Sequence, residues 1–263
     1  MGSVVVVAAA ALAVSALTMF SGFGLGTLLL PVFALFFPVE VAVAATAVVH
    51  GANNVFKVAL LGRHADRRVV WRFGLPAVAA AMVGAGLLGF VAHLAPLVRY
   101  TLLDREAVVT PVKLLLALLM VAFGLMELLP VFRTLQFNVK WLPLGGVLSG
   151  FFGGLSGHQG ALRSAFLAKT GISTPAFVAT NAVIGLLVDL VRIAVYGVLV
   201  FSPAWGTLTA GREGVLILTG ILAAFAGVLL GRRVLHKVTM TGVQVLTGIL
   251  LIGIALGLGS GLI

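Results

Sequence analysis

The sequence contains no cysteine, which excludes a disulfide framework, a thiolate metal centre and thiol redox chemistry. Charge is also scarce. Asp, Glu, Lys and Arg make up 9% of the 263 residues, where a soluble domain carries about a quarter. Too few solvated groups remain to cover a surface in water, so a soluble enzyme, a fibrous protein and a disordered chain are all excluded. Polar stretches outside the apolar ones stay at or below about fifteen residues, leaving little room for a separate aqueous domain. No phosphate-cradling Walker loop is present, so ATP-driven pumping by this chain alone is not expected. The sequence has no nucleophilic triad either, because Ser156 and His158 are neighbours in a tight turn without an orienting acid. An enzyme is therefore not expected, and neither a cofactor nor a metal is implied.

What the chain has instead is 61% apolar residues, in charge-free stretches at 1–39, 73–98, 141–162, 170–188, 193–211, 214–231 and 238–263. Several exceed the ~20 residues that cross a ~30 Å hydrocarbon layer as a helix. The expected fold is an all-α polytopic membrane protein embedded in the lipid bilayer. The first charge is Glu40 and the first basic residue is Lys57, so the opening stretch reads as a retained span and not a signal peptide. Residues 1–39 are too long for one crossing and are broken by Ser21–Gly26, Pro31 and Pro38, which gives two arms at 3–20 and 26–37. Further spans are predicted at 40–62, 73–95 and 111–130, and a second set at 142–157, 160–170, 173–201, 212–231 and 239–262.

The net charge of +10 comes from seventeen Lys and Arg scattered through short loops. They form no basic face, so orientation in an anionic membrane explains them better than nucleic acid does. The loop 63–72 carries four Arg and one Asp, 131–140 carries Arg133 and Lys140, and 232–237 carries three basic residues; all three belong in the cytoplasm. The loop 96–110 balances Arg99 and Arg105 against Asp104 and Glu106, and 202–211 is uncharged; these belong outside, as do both chain ends.

The two halves, 1–135 and 136–263, resemble each other within a single transmembrane domain. Ser21-Gly22 and Ser156-Gly157 are 135 residues apart, while Gly26 and Gly160, like Ala45-Thr46 and Ala179-Thr180, are 134 apart. Each half has five segments, an odd number, so the second half is expected upside down relative to the first. Inverted repeats are a transporter architecture, with the substrate at the repeat interface. Each half opens with a glycine-broken hairpin whose second arm is too short to cross fully. The tips Gly22–Gly26 and Gly157–Gly160 are therefore expected within the membrane, lining a cavity, with helix N-termini that favour an anion. Single glycines elsewhere, as in Gly227-xxx-Gly231, read mainly as close helix packing.

Charges within spans mark functional positions. His158, Gln159, Gly160 and Arg163 cluster at the second tip, Asp189 and Arg192 share a helix face, and so do Asn53 and Lys57. Lys57, Arg163 and Arg192 outweigh Asp189, a positive excess that points to a small anion. Bland alternatives exist for three of these positions. Lys57 could snorkel to the cytoplasmic face, Asp189–Arg192 could be a closed structural pair, and His50 reads as a hydrogen-bonded interior residue. His93, His236, Trp71, Trp141 and Trp205 fall at span ends, where an interfacial role suffices.

At SGFGLGTLLLPVFALFFPVEVAVAAT (Ser21–Thr46) and GGVLSGFFGGLSGHQGALRSAFLAKTGISTPAFVAT (Gly145–Thr180) the chain resembles the sulfite exporter TauE/SafE family of bacterial membrane permeases. Family members usually carry a glycine-glycine-glycine-proline type turn in each half. Here the turns read GFGLGTLLLP and GHQGALRSAF, and the second has lost its later glycines and its proline. The resemblance implies export of sulfite or small organosulfonates such as sulfoacetate across the inner membrane, without ATP. The residues expected to bind the anion are Arg163, Arg192 and Lys57 by charge, and His158, Gln159, Asn53, Asn54, Thr46 and Thr180 by hydrogen bonding. Gly22, Gly24, Gly26 and Gly160 would contribute backbone N–H groups at the two tips. Asp189 is the expected coupling residue. An anion channel and a non-transporting assembly or regulatory subunit are the rival readings, and a homo-oligomer is left open.

Overall fold

The computed structural model describes residues 1–19, 25–102, 105–133, 135–199, 211–234 and 240–263. Ten helices of eight or more residues carry the fold among them: α1 (Gly2–Leu17), α2 (Leu25–Ala34), α3 (Val39–Leu61), α4 (Leu75–Ala92), α5 (Pro111–Leu128), α6 (Leu142–Ser156), α7 (Gly160–Leu167), α8 (Thr174–Leu199), α9 (Arg212–Val234) and α10 (Met240–Gly259). They follow the expected spans closely. Five of the helical segments are long and apolar enough to cross a membrane, and α1 and α2 are among the shorter apolar helices. At 1.5 Å per residue the ten residues of α2 extend only ~15 Å and the eight of α7 only ~12 Å, so neither second arm crosses. The first hairpin tip at 20–24, with Gly22 and Gly24, lies outside the described residues, as do loop 201–210, Trp205 and His236.

One element was not expected. The loop 96–110 forms an antiparallel ribbon, β1 (Val98–Leu102) with β2 (Arg105–Val109), in register Val98↔Val109. Its alternation is weak (VRYTL and REAVV), and it gains stability from the chain end: Val108 N–H donates to Gly261 O at 3.1 Å and Tyr100 Oη donates to Ser260 O. This contact places the C-terminus on the same membrane face as the ribbon. Arg212 Nη2 donates to Ser3 Oγ at 3.1 Å, which brings the start of α1 beside the start of α9. On the opposite face, Asp66 accepts from Val69 N–H at 2.9 Å to start a short helical turn that runs into a π-helical segment, Val70–Gly74, and then α4.

The tightest packing joins α4 to α6 and α1 to α9; α5 packs on α10, α3 on α8, α4 on α8 and α3 on α9. Glycine composition explains how α4 and α6 approach so closely. Gly146, Gly150 and Gly154 recur at four-residue spacing on one face of α6. A Cβ at these positions would sit 2.2, 2.1 and 2.1 Å from the carbonyl oxygens of Phe73, Ala77 and Ala81. The backbones are therefore in contact, which is the way small residues replace a hydrophobic driving force in lipid. Gly227 plays the same part on α9, where a Cβ would lie 2.4 Å from Leu12 O.

Gly150→Ala should force α4 and α6 apart and cost about 1–3 kcal/mol, read as a lowered midpoint in thermal unfolding of the detergent-solubilised protein. Gly86→Ala on α4, where nothing lies within 4 Å of the added carbon, should leave the midpoint unchanged. Equal midpoints for the two variants would refute backbone contact at this seam.

Candidate functional site

Three elements bring polar groups together in the apolar interior. Helix α3 carries Thr46, His50, Asn53, Asn54 and Lys57, all buried. Helix α8 carries Asn181, Asp189, Arg192 and Tyr196 at helical spacing on one stripe, also buried. The break between α6 and α7 supplies Ser156, His158, Gln159 and, one turn into α7, Arg163. This break is possible because Gly157 takes φ +84°, a left-handed conformation that caps α6 and favours glycine.

Asp189 is the centre of the arrangement. Arg192 Nε donates to its Oδ1 at 3.0 Å, and Arg192 Nη2 approaches the same oxygen at 2.8 Å. Gln159 Nε2 donates to Oδ1 at 3.3 Å, and Asn54 Nδ2 donates to Oδ2 at 2.8 Å. His50 Nδ1 lies 2.7 Å from Oδ2, and because an ionised carboxylate only accepts, that nitrogen carries the proton. Partners from α3, α8 and the α6–α7 break thus converge on one fully buried carboxylate. Such convergence is what a charge in a low-dielectric interior requires.

Gln159 extends the network toward the second arginine. Its Oε1 accepts from Arg163 Nη1 at 2.9 Å, and its backbone oxygen accepts from Ser149 Oγ at 3.0 Å. Arg163 Nε donates to Asn181 Oδ1 at 2.7 Å, and Asn181 in turn donates to Phe177 O at 3.0 Å. Gly185 leaves room for this meeting: a Cβ there would lie 2.8 Å from Asn54 Nδ2 and 3.2 Å from Arg163 Nη1.

Beside this network is a small cavity lined by Lys57, Arg163, His50, Asn54 and Asn181, closed by Thr18 and Met19 at the end of α1. Among the described residues that line it are two cations and no carboxylate. Its volume of about 20 Å³ is room for roughly one water. A guest larger than a water therefore requires the residues that line the cavity to move apart.

Of the residues expected to bind an anion, Arg163, Lys57 and Asn54 line this cavity. Gln159 supports it from behind. Arg192 pairs with Asp189, and His158 sits on the far side of the clasp, its Nδ1 2.9 Å from Ser156 Oγ and its ring stacked on Phe123 at 5.1 Å. Gly26 stands against Gly157, since a Cβ on Gly26 would lie 3.5 Å from Gly157 O, so the start of α2 meets the second tip; Gly160 is buried at the start of α7. Asn53 faces away, with its side-chain amide 3.2 Å from Ser15 Oγ. Thr180 accepts from Asp66 N–H at 2.9 Å, tying the arginine-rich loop to α8, and Thr46 Oγ1 is buried without a hydrogen bond. Sequence reasoning gave no site role to His50, Asn181, Gly185 or Tyr196. The signal available was the four-residue spacing of Asn181, Gly185 and Asp189 and of His50 and Asn54, which puts each set on one helix face.

No curated protein matches the chain. The model of the family described as "Sulfite exporter TauE/SafE" matches residues 7–258, nearly the whole length. The chain belongs to the sulfite exporter TauE/SafE family, whose members are membrane transporters of sulfite-type anions and not enzymes.

Proposed function

We propose that this chain is a secondary transporter that exports a small sulfur oxyanion or organosulfonate, such as sulfite or sulfoacetate, across the inner membrane. The observation that carries this reading is the cavity between Lys57 and Arg163, which presents positive charge with no acid in its walls at the end of a broken helical hairpin. A planar guanidinium can hold two oxygens of a sulfonate or sulfite at once. Transport by alternating access requires this cavity to widen, since as it stands it is too small for such an anion.

The inverted-repeat arrangement belongs to the same proposal. If α1 to α5 correspond to α6 to α10, the contact of α4 with α6 maps onto that of α9 with α1, and α4 with α8 maps onto α9 with α3. The pairs α3–α8 and α5–α10 map onto themselves. Charge supports the orientation. Among the described residues, Arg63, Arg67, Arg68, Arg72, Lys140 and Lys169 lie toward one face with Asp66 and Glu127 against them, while Arg99, Lys113 and Arg212 on the other are balanced by Glu40, Glu106 and Glu213. The basic face is the cytoplasmic one, and both chain ends lie outside.

Four measurements test these statements. Purified protein in proteoliposomes should show saturable sulfite flux with counter-exchange; flux without saturation would indicate a channel, and no flux a scaffold. Arg163→Ala should lower sulfite transport roughly ten- to hundred-fold, and Arg163→Lys should restore part of it, since an ammonium lacks the bidentate fork. Transport at the wild-type level by Arg163→Ala would remove the cavity from the mechanism. For orientation, Arg68→Cys should resist a membrane-impermeant maleimide in intact cells while Thr101→Cys reacts; the reverse labelling would overturn the assignment of the basic face to the cytoplasm. Asp189→Asn should leave Arg192 without its counter-charge, cost about 3–5 kcal/mol and lower the thermal midpoint. A stable Asp189→Asn protein whose sulfite exchange runs but has lost its pH dependence would instead make Asp189 the coupling group.

A further inference from the structure

We propose that the groove between α8 and the segment leading into α4 binds one anionic glycerophospholipid, with its phosphate on Arg63 and Arg67 and an acyl chain laid along the apolar walls. This site is separate from the Lys57–Arg163 cavity and does not depend on which anion the protein carries. The groove has a volume of about 660 Å³. Arg63 and Arg67 stand at its head with Trp71, and Gly74, Leu75 and Val78 continue it along the chain into α4. Val183 and Leu187 of α8 form the facing wall.

Contacts between the two sides fix how the groove lies. Asp66 N–H donates to Thr180 Oγ1 at 2.9 Å. Further along both chains, a Cβ on Gly74 would lie 3.6 Å from Leu187 Cδ1 and 3.7 Å from Ile184 Cγ1. The two sides therefore run in the same direction, from the basic face into the span Arg67–Ala92. Gly74, in the π-helical segment Val70–Gly74, adds no side chain to fill the space between them. From Arg67 to Val78 is eleven residues, ~16 Å at helical rise. That is about half of a ~30 Å hydrocarbon layer, the share that the chains of one leaflet occupy.

The charge at the head of the groove suits a phosphate. Arg63 and Arg67 are exposed, and among the described residues neither takes part in an ion pair. Asp66, the acid between them, is occupied with its own turn, where its Oδ1 accepts from Val69 N–H at 2.9 Å. A guanidinium fork matches the oxygens of a phosphate. Trp71 is 68% exposed and stands where an indole anchors at the boundary of headgroups and chains. Basic head, aromatic collar and apolar walls of one leaflet's depth thus follow the order of a phospholipid's own parts. A zwitterionic lipid brings an ammonium toward the same arginines, and an anionic one does not. Basic pockets between helices on the cytoplasmic side recognise anionic headgroups by this chemistry.

The test uses the purified full chain in neutral detergent, with the thermal midpoint read as lipid is added. Dioleoylphosphatidylglycerol should raise the midpoint by roughly 5 °C at saturating lipid, and dioleoylphosphatidylcholine should leave it nearly unchanged. Arg63→Gln combined with Arg67→Gln should abolish the shift. Val78→Trp, which fills the groove and keeps both arginines, should abolish it too. Arg68→Gln removes a charge from the same loop at a position that does not line the groove, and it should keep the shift. The arginine substitutions alter exposed side chains alone, so they carry the test if Val78→Trp does not fold. The site is overturned if phosphatidylglycerol gives no shift in wild type or phosphatidylcholine gives an equal one. It is overturned as well if Arg68→Gln loses as much as the double variant, which would mean general attraction to a basic loop. A full shift with glycerol 3-phosphate, the head without chains, or one that survives in folded Val78→Trp would remove the acyl chain and with it the lipid.

Discussion

A guanidinium buried among apolar helices needs a counter-charge or a ligand, and this requirement organises the interior of the protein. Asp189 answers it for Arg192, and in doing so it draws His50 and Asn54 from α3 and Gln159 from the α6–α7 break onto a single carboxylate. Among the described residues Arg163 pairs with no carboxylate and is held by neutral oxygens, those of Asn181 and Gln159. The two arginines therefore differ in kind. One is neutralised within the fold, and the other remains a net charge beside a cavity that it shares with Lys57. The cationic excess of the interior is thus local, gathered on one side of the clasp.

The backbone permits this arrangement through a second constraint. A helix break within a membrane exposes peptide groups that lipid cannot satisfy, so breaks must be buried in protein. The α6–α7 break meets that requirement by sitting against Gly26 and Arg192, and its left-handed glycine turns the chain within a few residues. Proximity then makes the break useful, since His158 and Gln159 within it and Arg163, one turn into a helix of only eight residues, are delivered to the interior of the bundle.

Much of this was legible in the sequence, because lipid simplifies the code. Apolar runs gave the helices to within a few residues, as with 40–62 against Val39–Leu61 and 142–157 against Leu142–Ser156. Buried charges such as Arg163 and Asp189 stood out against an uncharged background. The ribbon at 98–109 was not legible, since its short strands are completed by contacts with Ser260 and Gly261, about 150 residues away in the chain. Neither was the division of labour between neighbours. Asn53 and Asn54 look alike in sequence, but a step of 100° around α3 sends one to Ser15 and the other to Asp189. Thr46 and Thr180 match in position between the halves and differ in company, the second being taken by a loop N–H.

The seam between α1 and α9 has a consequence for how the protein is made. Helix α1 leaves the ribosome well before α9, yet its tight backbone contact, through Gly227 and Leu12, is with that helix, which ends at Val234. At ordinary rates of synthesis roughly 10–40 s separate the two events. For that interval the Ser15 hydroxyl, which finally donates to Ala224 O at 2.7 Å, has no α9 to meet. Helix α1 is thus locked in place only after α9 is made, and until then the bundle holds together through α2, α3, α8 and the α4–α6 seam.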